Sequence, residues 1–196
     1  MCIRDREEAA DVGEDVDGAV DLAAVVHDDD AGAVPGGHRR HVRVALQAPY
    51  VVDDRRAGVV VMHNRHAVDG SIDILADIRR FFLRSLLLAE RAGIPERRIV
   101  LDPGIGFGKT LEQNVETIAR LSELRAIGLP ILVGASRKSL IGRLLDQPLA
   151  ERMPGTLATH VLSVAGGADI IRAHDVREHA QALRIADVIL AGGAHR

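Results

Sequence analysis

From Gly58 onward the apolar positions of this chain fall into two alternating patterns. Short runs of consecutive apolar residues are followed by longer stretches in which apolar residues recur every three or four positions. The first run, Gly58-Val59-Val60-Val61-Met62-His63-Asn64, ends in polar residues. After it Ile74, Ile78, Phe81, Phe82, Leu86 and Ala89 recur at helical spacing and stop near Ala92-Gly93, with Ser71 in position to cap that helix. The second run, Arg98 to Asp102, precedes a helical stretch from Leu111 to Ile127, closed by Gly128 and Pro130. Ile131 to Gly134 is the third run, and Thr156 to Ala165 reads as a helix ended by Gly166-Gly167. The fourth, Asp169 to Asp175, leads into a last helix from Val176 to Leu190. Short runs of consecutive apolar residues suit parallel strands covered on both faces. Four β-α repeats with no hairpin signal predict a parallel α/β sheet, open or closed into a barrel. A full (β/α)8 barrel needs about 250 residues, and the patterned region is about half of that.

Residues 1–56 follow neither period. They contain no Ser, Thr, Asn, Lys or Phe, and their apolar runs are broken by Asp28-Asp29-Asp30 and Pro35-Gly36-Gly37. Two origins fit this composition: an acidic arm that does not fold, or a stretch unrelated to the reading frame of the rest. The expected division is an irregular segment over 1–56 and a folded unit over 57–196. The segment is expected to lack β/α units, to pack poorly and to be cut first by a protease. The strand from Gly58 to His63 is then expected to leave one edge unpaired.

Composition narrows the function. The chain has 196 residues, 47% hydrophobic and 27% charged, with a net charge of -3. That charge gives no electrostatic footprint for nucleic acid, and 2% aromatic residues offer no stacking platform. One cysteine excludes an internal disulfide. No apolar run is long enough for a membrane span, and the first residues lack the apolar core of a signal peptide, so a cytoplasmic location is expected.

The chemistry lies at the ends of the runs. LDPGIGFGKT, Leu101 to Thr110, invites comparison with a phosphate-binding loop, but the Walker A spacing requires Gly where Pro103 stands. The dinucleotide fingerprint requires a third Gly where Lys109 stands, so that fails too. The carboxylate opening the stretch is more informative. The runs end in His63-Asn64, in Asp102, in Ser136-Arg137-Lys138, and in Arg172 and His174. In parallel α/β folds this strand edge is where sites are built. A cap, a solvated lysine or a surface histidine explains any one of these. Four in succession point to a site, and their side chains are expected to converge on one cleft. Asp102 suits the paired N–H groups of a guanidine-like heterocycle. Lys138 suits a ring carbonyl or nitrogen, Phe107 a ring face, and Arg172 with His174 an anionic group such as phosphate. Ser136, ahead of a helical turn, suits a carboxylate.

LDPGIGFGKT, LPILVGASRKSLIG and GTLATHVLSVAGGADIIRAHDV together resemble the C-terminal half of dihydropteroate synthases, in uninterrupted order from about Gly58 to Leu190. The resemblance implies the C-terminal half of a (β/α)8 TIM-type barrel. It also implies condensation of p-aminobenzoate with 6-hydroxymethyl-7,8-dihydropterin diphosphate, with Mg2+ present. It assigns Asp102, Lys138, Met62, Gly134 and Arg172 to the pterin, and Ser136, Phe107 and Lys138 to p-aminobenzoate. Arg172 and His174 go to the diphosphate, with Lys138, Arg172 and His174 as the catalytic set. Lys109 has no role in it, and Thr110 and Asn114 read as a helix start. A homodimer is implied as well. The residues such enzymes draw from their first strands, including an Asn near the metal and diphosphate, have no recognisable counterpart in 1–56. Two further readings are an inactive half-barrel and the pterin-binding domain of a folate-dependent methyltransferase.

Overall fold

The computed structural model describes residues 21–22, 43–45 and 58–192. Protease sensitivity and packing of the remainder of the N-terminal segment lie outside the described residues. The strands are β1 (Asp21–Leu22), β2 (Arg43–Ala45), β3 (Val59–Met62), β4 (Ile99–Asp102), β5 (Leu132–Val133) and β6 (Ile170–Arg172). The helices are α1 (Ile74–Arg91), α2 (Leu111–Ala119), α3 (Ser139–Leu145), α4 (Met153–Ala165) and α5 (Val176–Leu190).

The pairing of β3 with β4 and of β5 with β6 is parallel. A parallel bridge between Leu101 and Ile131 joins the two pairs, so the lateral order β3-β4-β5-β6 follows the sequence. Each consecutive pair is linked by helical chain, as parallel connections require. The parallel sheet expected from the β-α alternation is present, in the strand order of the partial (β/α)8 barrel that the resemblance implies. Beyond β6, β2 adds in parallel, with Val44 opposite Ile171. On the other edge β1 pairs antiparallel with β3, Leu22 opposite Val61. The edge expected to be bare therefore has a partner, and one whose direction departs from an all-parallel barrel.

Period two along the strands divides the interior. Val61, Ile99, Leu101, Ile131, Val133 and Ile171 face the helices and join the main core, with Phe82, Ile74 and Ile78 of α1, Val164 of α4 and Leu183 of α5. Val60, Leu132 and Ile170, with Val100 packed on them, form a separate small cluster on the opposite face. Both faces are covered, which explains runs without polar alternation.

Three local expectations are corrected. Asp73, not Ser71, caps α1, its side chain accepting from Ala76 N. Ser71 is too far from the first turn, and its N–H and hydroxyl both donate to Asp69 Oδ1, at 2.9 and 2.6 Å. The stretch Leu111–Ile127 is not one helix. α2 ends at Ala119, Arg120 takes φ -107 and ψ 21, and a 3-10 turn continues over Leu121–Ile127. Bonds from the Arg120 guanidinium to Glu116 and Glu123 bracket the break. The fourth helix begins three residues early, at Met153 with Pro154 in its first turn, a position where the missing N–H costs nothing.

Candidate active site

The inner face of the strands leads directly to the site. Two residues beyond Val60, Val100, Leu132 and Ile170 come Met62, Asp102, Gly134 and Arg172. Parallel registry puts Met62 opposite Asp102 and Val133 opposite Ile171. All four therefore lie at the same end of the sheet and on its inner side.

Asp102 is 1% exposed. Its Oδ1 accepts from Gly104 N at 2.7 Å and its Oδ2 from Arg172 Nη2 at 2.9 Å. The guanidinium gets there by lying across the end of β5. A Cβ on Gly134 would stand 2.9 Å from Nη2 and 3.0 Å from Nε, so a side chain there obstructs the bond. A carboxylate offers about four acceptor directions, and two of those on Asp102 are in use.

Lys138 follows β5 and stands 4.3 Å above the centre of the Phe107 ring, while its ammonium donates to the Ile105 carbonyl. Burial lowers its pKa to about 8, against the opposing pull of Asp102. Ser136 Oγ accepts from His174 N at 3.2 Å and lies 2.9 Å from His174 Nδ1. Arg172 and His174 thus diverge in partner, one toward Asp102 and the other toward Ser136. Behind Ser136 the turn is fixed firmly. Arg137, at φ 56, makes a forked bond to Asp175, and Arg152 donates to the Arg137 carbonyl at 3.0 Å. His160 Nε2 accepts from Ala135 N at 3.0 Å.

The glycines of Leu101–Thr110 serve close packing. Gly104 has φ +66, and a Cβ there would fall 1.8 Å from the His63 carbonyl oxygen; at Gly108, φ +60, it would fall 2.3 Å from that of Arg65. The loop is pressed against the backbone leaving β3. Thr110 then opens α2 with a capping box, accepting from Gln113 N while Gln113 Oε1 accepts from Thr110 N. Asn114 Oδ1 accepts from Gly106 N at 2.6 Å. The helix-start reading of Thr110 and Asn114 holds, and Asn114 also ties the loop to α2.

Lys109, which motif matching leaves without a role, is 7% exposed at the centre of this loop. Its ammonium donates to Gly104 O at 2.9 Å and to Phe107 O at 3.2 Å, and lies 2.8 Å from His63 Nδ1. His63 Nε2 lies 3.1 Å from Asp77 Oδ2 on α1. Nothing in the apolar pattern announces this chain of contacts. Its one signal is a lysine inside a glycine-rich loop that fails both phosphate motifs.

The model of the pterin binding enzyme family matches residues 42–174. This chain belongs to that family. The match begins ahead of Gly58 and includes β2. Curated relatives include dihydropteroate synthases. That of Synechocystis is 43% identical over 146 residues, covering 71% of this chain and 50% of the relative. That of Escherichia coli K12 is 44% identical over 119 residues, covering 61% and 42%. The chain spans about half the length of the curated relatives it matches. Among solved structures, the Clostridium difficile dihydropteroate synthase determined with pteroic acid superposes with a TM-score of 0.66 at 41% identity, covering 76% of this chain and 60% of that one. The Yersinia pestis enzyme gives 0.65 at 42% identity, covering 67% and 54%.

The pterin-binding family frames the electrostatics. Around the single carboxylate of Asp102 stand the cations of Arg172, Lys138 and Lys109. This excess of positive charge at the strand ends suits an anionic ligand. No group of three or more His, Cys, Asp or Glu side chains among the described residues is placed to hold a metal ion. The donors described do not fit a resident Mg2+. No described helix is long and apolar enough to cross a membrane.

Proposed function

We propose that this chain carries the synthase chemistry of its relatives, condensing a dihydropterin diphosphate with p-aminobenzoate to give dihydropteroate and pyrophosphate. The observation that carries the reading is the Asp102–Arg172 pair, its carboxylate buried, at the strand ends from which the Lys138 and Phe107 loops leave. Asp102 keeps acceptor directions free for the adjacent ring N–H and amino groups of a pterin edge. Arg172 anchors the carboxylate through its 2.9 Å bond and faces the anion that departs. Lys138 swings from the Ile105 carbonyl to the heterocycle, and Phe107 covers the aryl ring. Met62 and Gly134 line the pocket floor. His174 completes the diphosphate side, and Ser136 meets the p-aminobenzoate carboxylate.

In the reaction the methylene C–O bond breaks and its electron pair leaves with the diphosphate, stabilised by Arg172 and Lys138. The aryl amine then forms the C–N bond and releases one proton. No protein nucleophile takes part. The chain works as a cytoplasmic homodimer.

The test is calorimetric titration of the full chain with pteroic acid and with a dihydropterin, followed by an assay of pyrophosphate release with p-aminobenzoate and Mg2+. Hydrogen bonds to charged groups contribute roughly 1.5–3 kcal/mol each, so Lys138→Ala should weaken pterin binding about tenfold or more. Turnover is expected to be slow, because the residues such enzymes draw from their first strands have no recognisable counterpart in 1–56, and orienting both substrates accounts for about 7–11 kcal/mol of a barrier. A folded sample that binds neither pterin defeats the proposal.

A further inference from the structure

We propose that Lys109 is a positioning residue of the site: its side chain, set from behind by His63 and Asp77, pins the Gly104–Gly108 loop in the shape that presents the Ile105 carbonyl and the Phe107 ring to Lys138. The inference rests on the synthase reading for its functional meaning.

A lysine ammonium has three protons and no acceptor. Lys109 has the carbonyls of Gly104 and Phe107 and the Nδ1 of His63 within 2.8–3.2 Å, and the His63 carbonyl at a longer 3.5 Å. When the Lys109 ammonium donates to His63 Nδ1, that nitrogen is a bare lone pair and the histidine carries its proton on Nε2. That proton has its acceptor at Asp77 Oδ2, 3.1 Å away. With Lys109 as the donor, the row runs from the ammonium to its loop acceptors and His63 Nδ1, and from His63 Nε2 to Asp77. The row joins α1, the exit of β3 and the loop after β4. Asp77 is also held by Arg65 at 3.3 Å. The charged groups acting on Lys109 are Asp102, Lys138, Asp77 and Arg65.

The loop it grips contacts the site twice. Ile105 O receives the Lys138 ammonium and Phe107 lies under it. Both gripped carbonyls, Gly104 and Phe107, flank Ile105. Releasing them frees the surface on which Lys138 rests, although Lys109 itself is only 7% exposed.

Lys109 and Lys138 are the only lysines in the sequence, which makes the test direct. The full chain, labelled with 15N-lysine, gives two Nζ resonances, and the Lys109 N–H protons should exchange slowly with water. Lys109→Met should raise hydrogen exchange at the 104–108 amides at least tenfold, move the Lys138 Nζ resonance and weaken pteroic acid binding at least tenfold. Asp77→Ala, which touches neither loop nor ligand, should act in the same direction more weakly. Asp77→Asn, which keeps an acceptor for His63, should restore the native values. Folded Lys109→Met or Asp77→Ala protein with native loop exchange and an unmoved Lys138 resonance would overturn the proposal. Should Lys109→Met not fold, the Asp77 pair decides. If the unmodified chain binds no pteroic acid, the synthase reading falls, while the exchange and resonance arms still decide the role of Lys109.

Discussion

Arg172 donates to Asp102 over 2.9 Å although 70 residues separate them in sequence. The bond passes over a strand that belongs to neither, and only the absence of a side chain at Gly134 leaves it room.

Arg172→Met therefore leaves a carboxylate that is 1% exposed without its cation. Removing one partner of a buried pair costs about 3–5 kcal/mol. We expect about 3 kcal/mol here, at the lower end of that range, since the Arg172 side chain keeps 15% of its exposure. Gly134→Ala should spare more of the fold, at about 1–3 kcal/mol for overpacking, because the atoms it meets end a flexible side chain. It should still displace the guanidinium. Urea unfolding separates the two costs, and titration with pteroic acid should show both variants weakened.

Two glycines in the same backbone region of conformational space should behave differently. Gly93 has φ +74 and open space where a side chain would begin, with nothing within 4 Å, whereas Gly104 at φ +66 faces the His63 carbonyl. Gly93→Ala should cost only the left-handed strain, about 1–2 kcal/mol. Gly104→Ala adds a backbone collision and should cost upward of about 3 kcal/mol or prevent folding. Equal thermal melts for the two would contradict the close-packing account of the loop.

The capping box of α2 gives a smaller, local effect. Thr110→Ala removes the acceptor for Gln113 N at 3.1 Å, and loss of such a cap costs about 0.5–2 kcal/mol. Thr110→Ser should recover most of it in the same unfolding experiment.

Acid should unfold the protein early. Burial is the main cause that lowers His63 to about 4 and His160 to about 3. Below pH 6.5 the unfolded chain takes up protons that the folded histidines refuse, so stability falls as pH drops, by about 2 kcal/mol for each at pH 5. The lysines extend the same slope upward. With Lys109 lowered to about 7 and Lys138 to about 8, the unfolded chain holds the extra protons up to about 10.5, and stability rises with pH through that window. Chemical denaturation from about pH 4 to 10 should show both arms, and His160→Gln should flatten the acid one.

Much of this molecule is written in its sequence. Alternating runs specify parallel strands and covering helices, because each strand must bury both faces and each helix one. The bounds of α5, Val176–Leu190, and the polar exits of all four runs follow from that pattern. So does the gathering of Asp102, Lys138, Arg172 and His174 at one sheet edge, since parallel strands joined by helices point the same way. The tertiary structure decided the rest. Consecutive apolar residues carry no mark of which face is inward, so the layer Met62, Asp102, Gly134 and Arg172 emerged only once registry was set. The pairing of Arg172 with Asp102, and of His174 with Ser136, depends on distances across the sheet to which local sequence is blind. The parallel addition of β2 and the antiparallel addition of β1 came from a segment without periodicity, because strands of two or three residues are too short to display one. Lys109 was hidden for a related reason. Its acceptors are mainly backbone carbonyls, present at every position in any sequence, and folding alone selects which of them meet.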